Sequence, residues 1–145
     1  DNVTTLVRRI YSEVKAVKPD VMISAAVFAD LASGSATEHR FQDWPAWLEE
    51  GIIDVAVPMA YGTNPAVVAY QIQQAVQHAG EDRLAFAGLG AYNISDPEQM
   101  VQMIKRVRSV NPHGIILFAH HAVRDNKEYM ELLRTEAFPE KAPAY

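Results

Sequence analysis

Polar and aromatic side chains follow each of four apolar runs in this sequence, and their positions are the first sign of chemistry. The runs are "AAVFA", "VPMA", "GLGA" and "ILFA". The residues that follow them are Asp30, Tyr61, Tyr92, Asn93, His120 and His121. If the runs are parallel strands, their carboxyl ends meet at one edge of a sheet, where such proteins bind ligands. The sequence therefore predicts a shared polar cleft.

Each of these side chains has a functional and a structural interpretation. A tyrosine beside a cleft stacks on sugar rings and donates a hydrogen bond, but it also serves as a packing residue at a rim. Asp30 is either a catalytic carboxylate or the cap of a loop. His120 and His121 are adjacent, so on a strand only one of them faces the cleft. That histidine is a candidate to bind substrate or to transfer a proton.

Other polar and aromatic residues point more to structure than to chemistry. Asp54 lies at the start of the second apolar run, at the face that serves stability in parallel folds. Trp44 and Trp47 are three residues apart on one predicted helix, which favours a packing role. The loop "DLASGSATEHRFQ" carries Glu38, His39 and Arg40 and is either a lid or a solvated connection.

The elements that must position these residues alternate regularly along the chain. Apolar runs predict strands over 21–29, 52–61, 83–92 and 114–122. Helix-period segments with capping signals predict helices over 3–18, 43–50, 65–79, 95–110 and about 124–137. Alternation of this kind predicts an α/β protein with a parallel sheet and right-handed crossovers.

Two parallel architectures fit this alternation. One is a small doubly wound sheet, and the other is half of a (β/α)8 barrel, whose usual length is about 250 residues. The strands mix Ala and Gly with bulky residues, which favours a tapering barrel interior. No strand is followed by a glycine-rich phosphate loop, and "GLGAYN" is too short for the dinucleotide-binding fingerprint. The sequence therefore predicts no cofactor.

The composition excludes several other classes of protein. The chain has 145 residues, a net charge of −5 and no cysteine. The length predicts a single domain. The acidic balance argues against nucleic-acid binding, and the absence of cysteine excludes disulfides and thiolate metal sites. No apolar run approaches the roughly 20 residues of a membrane span. We also expect no metal site.

Two longer stretches carry a family resemblance. They are "VTTLVRRIYSEVKAVKPDVMISAAVFA" and "DWPAWLEEGIIDVAVPMAY", and together they resemble the glycosyl-hydrolase-like family 10 of bacterial envelope proteins. The resemblance implies a (β/α)8 TIM barrel, of which residues 1–145 are a fragment containing helix four and strands five to eight. It implies that the acidic residues of strand four precede Asp1, and that the full-length protein is extracellular, periplasmic or lipoprotein-anchored.

A shorter resemblance concerns the end of the second strand. Met59 and Tyr61 are similar to the Met-x-Tyr of chitinase-like family 18 hydrolases, where the tyrosine supports an intermediate formed by the substrate's acetamido group. Gly62 departs from both families, which place an acid or an aromatic residue there. We therefore expect a glycoside hydrolase that acts on an oligosaccharide or polysaccharide, with Asp30 and Tyr61 as its catalytic residues in this chain. The expected substrate-binding residues are Tyr92, Asn93, His120 and His121.

Two alternatives to hydrolysis stay open at the level of the sequence. Glycoside hydrolysis usually needs two carboxyl groups, and no carboxylate follows the third strand. If the second carboxyl group is missing, the barrel would bind carbohydrate without cleaving it. Four strands also leave two open edges and an uncovered apolar face. A true half-barrel would therefore form a homodimer.

Overall fold

A computed structural model describes residues 1–140 of the chain and shows one four-stranded parallel sheet in the order β1-β2-β3-β4. The strands are β1 Ser24–Phe28, β2 Val55–Met59, β3 Leu84–Gly90 and β4 Gly114–Phe118. The helices are α1 Asn2–Val17, α2 Trp44–Glu49, α3 Pro65–Ala79, α4 Pro97–Arg108, α5 His120–Arg124 and α6 Lys127–Leu132. A 3₁₀ turn, Ala91–Asn93, follows β3, and a π-helical turn, Leu133–Ala137, follows α6. The predicted α/β class and parallel pairing are confirmed.

The strand order decides between the two architectures that the sequence left open. A doubly wound sheet reverses its strand order at a switch point, which allows helices to cover both faces. Here the order is consecutive. Right-handed crossovers therefore place the connecting helices on one face of the sheet. This is the arrangement of half of a β/α barrel.

The alternation of side chains divides the sheet into a helix-covered face and an open face. On the covered face, Val27, Ala56 and Ala85 are buried in contact with the helical layer. Residues in register with one another share a face of a parallel sheet, and the register pairs Phe28 with Met59 and Gly90 with Phe118. The open face therefore carries Ala26, Phe28, Val55, Val57, Met59, Leu84, Phe86, Gly88, Gly90, Gly114, Ile116 and Phe118.

Helices α3 and α4 form the centre of the core, as their apolar periodicity predicts. Asn64 and Asp96 cap them through hydrogen bonds to backbone N–H groups of their first turns. The buried residues of the two helices are Val68, Ala69, Ile72, Ala75, Ala79, Met100, Val101, Met103, Ile104 and Val107. Tyr129 closes this core from α6 and donates a hydrogen bond of 2.9 Å to Ile94 O. Burial, with a smaller effect of the Asp96 charge, raises the pKa of Tyr129 to about 12.

The two tryptophans of α2 have the packing role that the sequence predicts. Trp44 is buried and donates from Nε1 to Phe28 O at 3.0 Å. Trp47 is also buried and donates from Nε1 to Thr4 Oγ1 at 2.9 Å. Gln42 adds a third tie, since its Oε1 accepts a hydrogen bond of 2.9 Å from Phe28 N–H. The short helix and the residue before its cap are thus fixed to β1 and α1.

Helix α1 is covered only in part, which the sequence did not reveal. Its predicted apolar stripe includes Leu6, Ile10 and Val17, yet these side chains are 56%, 46% and 79% exposed. Only Val3, Val7 and Tyr11 of this helix pack against the core as partly buried residues. The stripe is wider than its contact with the core, so most of its residues remain exposed in the part of the chain that the structure describes.

Several predicted boundaries differ from the structure. The predicted strands extend beyond the ladder by one to four residues, because flanking apolar residues such as Ile52 and Ile53 are buried in loops. The largest difference follows β4, where 120–122 are helical. The helix predicted over about 124–137 is divided, because the Asn126 side chain caps a new helix by accepting from Tyr129 N–H.

Asp54 ties three elements together at the amino edge of the sheet. Its carboxylate accepts hydrogen bonds from Ile23 N–H at 2.8 Å and Tyr11 Oη at 3.1 Å. Lys15 Nζ lies 2.9 Å from Asp54 Oδ2, and Arg83 lies 3.8 Å from Oδ1. Burial acts to raise the pKa of Asp54, but the hydrogen bonds and the lysine charge outweigh it and lower the pKa. The structural role predicted for Asp54 is confirmed.

The helices of the described chain, residues 1–140, are too short or too polar to cross a bilayer.

The Asp54 network generates a stability prediction. We expect Asp54→Asn to lower the free energy of unfolding at pH 7 by about 1–3 kcal/mol, because buried donors lose a charged acceptor. The folded-state pKa is lowered, so this contribution is present above the unfolded value of about 3.9 and is lost as the pH falls through the folded pKa. Urea unfolding at pH 7 and at pH 3 measures both effects.

The control is Asp20→Asn, which makes the same change of charge at an exposed turn. We expect it to change stability by less than about 0.5 kcal/mol. Equal destabilisation by both substitutions would contradict a specific role for Asp54. So would a difference from wild type that persists unchanged at pH 3.

Candidate functional site

Three aromatic rings meet at the carboxyl edge of the sheet, and we call Tyr61, Tyr92 and Phe118 the aromatic cluster. Tyr61 and Phe118 are stacked, with centroids 5.5 Å apart and ring planes 10° apart. Tyr92 stands edge-on to both rings, at 5.8 Å and 6.1 Å. Tyr92 and Phe118 are 51% and 52% exposed. The edge therefore presents a rigid apolar surface to solvent.

The backbone of β3 fixes the position of this cluster. Gly90 has no side chain, and a Cβ atom there would lie only 2.9 Å from Tyr61 Cβ. The glycine therefore lets Tyr61 pack directly on the strand. Asn93 Nδ2 donates a hydrogen bond of 2.7 Å to Tyr61 O, which joins the turn after β3 to the end of β2. The predicted residues Tyr61, Tyr92 and Asn93 are thus brought together.

The phenol of Tyr61 is suited to donate a hydrogen bond. The side chain is partly buried, and this burial, with a smaller effect of Tyr92, raises its pKa above the ordinary value. The hydroxyl therefore stays protonated at neutral pH. Its partners at the edge are rings and not carboxylates, so the cluster itself cannot perform carboxylate acid–base chemistry.

Asp30 lies at the end of β1 and is engaged locally. Its carboxylate accepts hydrogen bonds from Ser33 Oγ at 2.6 Å and from Ser33 N–H at 3.2 Å. The Ser33 hydroxyl, followed by the backbone bonds, lowers the pKa of Asp30. Asp30 also lines a cavity of about 290 Å³ with Tyr70 and His78 of α3. The structure gives it a loop-capping contact, and its catalytic role stays a prediction.

The two histidines do not lie on a strand, and this part of the sequence prediction is wrong. β4 ends at Phe118, and α5 begins at His120. The argument that strand alternation turns one of them inward therefore does not apply, and both are exposed. Helix α5 contacts the 3₁₀ turn that carries Tyr92 and Asn93. Their predicted contact with substrate stays a prediction.

Phe118 is the member of the cluster that the sequence interpretation missed. It lies within the predicted strand 114–122, where its apolar side chain does not stand out from its neighbours. The signal that could have found it is the register, which pairs Phe118 with Gly90. A bulky residue opposite a glycine at the same edge has room to cover the neighbouring strand.

The described chain offers no metal centre to compete with this site. Within residues 1–140, no group of three or more His, Asp or Glu residues could hold a metal ion. The chemistry available at the carboxyl edge is that of exposed rings and hydrogen-bond donors. Rings and donors of this kind suit a ligand that has both apolar and hydroxyl-rich surfaces.

Fold and edge together define an α/β protein with a four-stranded parallel sheet and an exposed aromatic cluster at its carboxyl edge. The model of one protein family, glycosyl hydrolase-like 10, matches residues 1–105. The chain belongs to this family, which confirms the resemblance seen in the sequence. The match includes β1 to β3, with Tyr61, Tyr92 and Asn93. Searches of curated proteins and of solved structures found no match.

The packing of Tyr61 on Gly90 generates a prediction. We expect Gly90→Ala to displace Tyr61 and to destabilise the chain by about 1–3 kcal/mol, because the added methyl group overpacks a fixed contact. Near-ultraviolet circular dichroism reports the ring environment, and urea unfolding reports the stability. Both should change together.

Gly62→Ala is the matched control. A Cβ atom at Gly62 meets only Val68 Cγ2 at 3.4 Å, which is an ordinary contact. We expect it to leave the tyrosine signal and the unfolding midpoint close to wild type. A Gly90→Ala chain with an unchanged aromatic spectrum would show that the glycine does not position the cluster.

Proposed function

We propose that this chain is the C-terminal half of a (β/α)8 barrel in a glycoside-hydrolase-related protein that acts on an extracellular or cell-envelope polysaccharide. The observation that carries the proposal is the aromatic cluster at the carboxyl edge, in a chain of the glycosyl hydrolase-like 10 family. Barrel enzymes place their active sites at this edge. The envelope location rests on the family resemblance alone.

The exposed apolar surfaces support a barrel with more strands than these four. On the open face, Ile116 and Phe118 are 43% and 52% exposed. On α1, most of the apolar stripe is exposed. Both surfaces lie where additional β/α units would pack to close a barrel. We propose that units preceding residue 1 in the chain cover them and complete the cleft.

Within that cleft the aromatic cluster would bind the sugar and not cleave it. Tyr92 and Phe118 offer exposed ring faces on which the apolar face of a pyranose can stack, as aromatic residues do for such ligands. The protonated Tyr61 hydroxyl would donate to a ring substituent. Asn93 holds the Tyr61 backbone. The two carboxyl groups that hydrolysis requires would then come mainly from the preceding units, with Asp30 as the candidate from this half.

A second candidate function is carbohydrate binding without hydrolysis. The contact between Asp30 and Ser33 favours it, because a carboxylate held by two hydrogen bonds with a lowered pKa is a poor general acid. The two functions differ in turnover and not in binding. A polypeptide that includes the preceding β/α units, assayed on chromogenic oligosaccharides, distinguishes them.

The hydrolytic proposal makes a definite claim about this assay. We expect the longer polypeptide to release the chromophore and residues 1–145 alone to release none. Turnover by residues 1–145 alone would refute the placement of the acids. Binding without turnover by the longer polypeptide would favour the second function.

The aromatic cluster makes a prediction about binding in either case. We expect Phe118→Ala and Tyr92→Ala each to weaken the binding of a neutral oligosaccharide about tenfold, because each removes an exposed ring from the centre of the site. Calorimetric titration of the longer polypeptide measures this. Phe138→Ala is the control, since Phe138 is also an exposed ring, at 37%, but lies beside Gly114 at the amino end of β4. Equal losses in all three variants would contradict a sugar-binding role for the cluster.

A further inference from the structure

A positively charged side chain stands over an aromatic ring at the opposite end of the same edge. Arg40 Cζ lies 4.7 Å from the centroid of the Phe28 ring, a cation–π contact. Phe28 is the last residue of β1, and its partner in the register is Met59 of β2. The ring therefore belongs to the open face at the carboxyl edge, so the guanidinium stands at the mouth of the proposed cleft.

Within residues 1–140, Arg40 forms no ion pair with a carboxylate. In the part of the chain that the structure describes, other arginines such as Arg8 and Arg134 are paired with carboxylates. Arg40 has no such pair among those residues, and its side chain is exposed. A guanidinium held on a ring keeps its fork of N–H donors available in the plane of the group. Those donors suit a carboxylate or a phosphate oxygen pair.

The loop presents Arg40 in a fixed position. Phe41 follows it with a φ of 54°, in the left-handed region that non-glycine residues rarely adopt. The next residue, Gln42, is bonded to Phe28 N–H, and Trp44 is bonded to Phe28 O. These two hydrogen bonds thus return the chain to Phe28. A strained turn that a non-glycine residue retains beside a cleft is an indication of function.

The spacing relates Arg40 to the aromatic cluster. Phe28 lies on β1 and Phe118 on β4, three strands away, so their backbones are about 14 Å apart at 4.8 Å per strand. Tyr61 lies between them at the end of β2. A saccharide of two or three units that stacks on the cluster would reach the guanidinium with its next substituents.

We propose that Arg40 binds the carboxylate of a sugar acid, so that the polysaccharide bound at this edge is anionic. The inference rests on the proposed carbohydrate function and adds to it a substrate class and a residue that selects for it. Phe28 orients the guanidinium, and the aromatic cluster binds the neutral part of the chain. The net charge of −5 on residues 1–145 makes this selection informative, because the other charges of this chain on balance repel anions.

The test compares each acidic glycan with its own neutral derivative. Polygalacturonate, alginate and hyaluronan oligosaccharides are titrated calorimetrically into the longer polypeptide, beside the same oligosaccharides after reduction of their carboxylates to alcohols. A glycerol phosphate polymer tests the other anionic group whose oxygen pair can accept from a guanidinium. We expect at least one acidic glycan to bind about tenfold more tightly than its reduced form, with an affinity that falls as salt is raised.

The variants separate charge from packing. Arg40→Gln should remove the preference for the acidic form and leave the affinity for the reduced form unchanged. Arg40→Lys should keep part of the preference, because it retains the charge but not the planar fork. Arg9→Gln is the control, with the same change of charge on an exposed residue of α1.

Each outcome decides between defined alternatives. Equal affinity for acidic and reduced glycans, or a preference that survives in Arg40→Gln, would overturn the inference and leave the carbohydrate function intact. Binding of the phosphate polymer alone would overturn the assignment to a carboxylate. If neither form of any glycan binds, and Phe118→Ala has no affinity to weaken, the proposed carbohydrate function itself fails.

Discussion

The consecutive order of four parallel strands is the constraint on which the rest of this structure depends. Because each crossover has the same hand, the connecting helices gather on one face and leave the other without a helical layer. The same order brings all four strand ends to one edge. Both the exposed apolar surface and the concentration of aromatic side chains follow from this single topological fact.

Two glycine residues of β3 allow the close packing on which the candidate site depends. β2 and β3 approach closely around Gly88, where a Cβ atom would lie 2.6 Å from Pro58 O. Two residues further along, the absence of a side chain at Gly90 leaves room for Tyr61. The exposed rings are thus supported by backbone and not by flexible side chains, which suits an edge that must hold a ligand in one orientation.

The parts of the fold that depend on periodicity could be predicted, and the parts that depend on neighbours could not. The stripes of α3 and α4 and the structural role of Asp54 follow from local patterns that tertiary contacts reinforce. The helical turn at His120 could not be predicted, because "FAHHA" carries no signal that ends a strand. Phe118 was missed for a similar reason, since its importance lies in a register that no single segment encodes.

The ties between Phe28 and the loop have a consequence for how another strand could join this sheet. Along the outer side of β1, backbone groups of alternate residues point away from β2, and at Phe28 both the N–H and the carbonyl are already bonded to Gln42 and Trp44. A strand added beside β1 can therefore pair only with the part that precedes Phe28. The loop acts as a stop that sets the stagger between neighbouring strands, and in a closed barrel that stagger determines the tilt and the width of the interior.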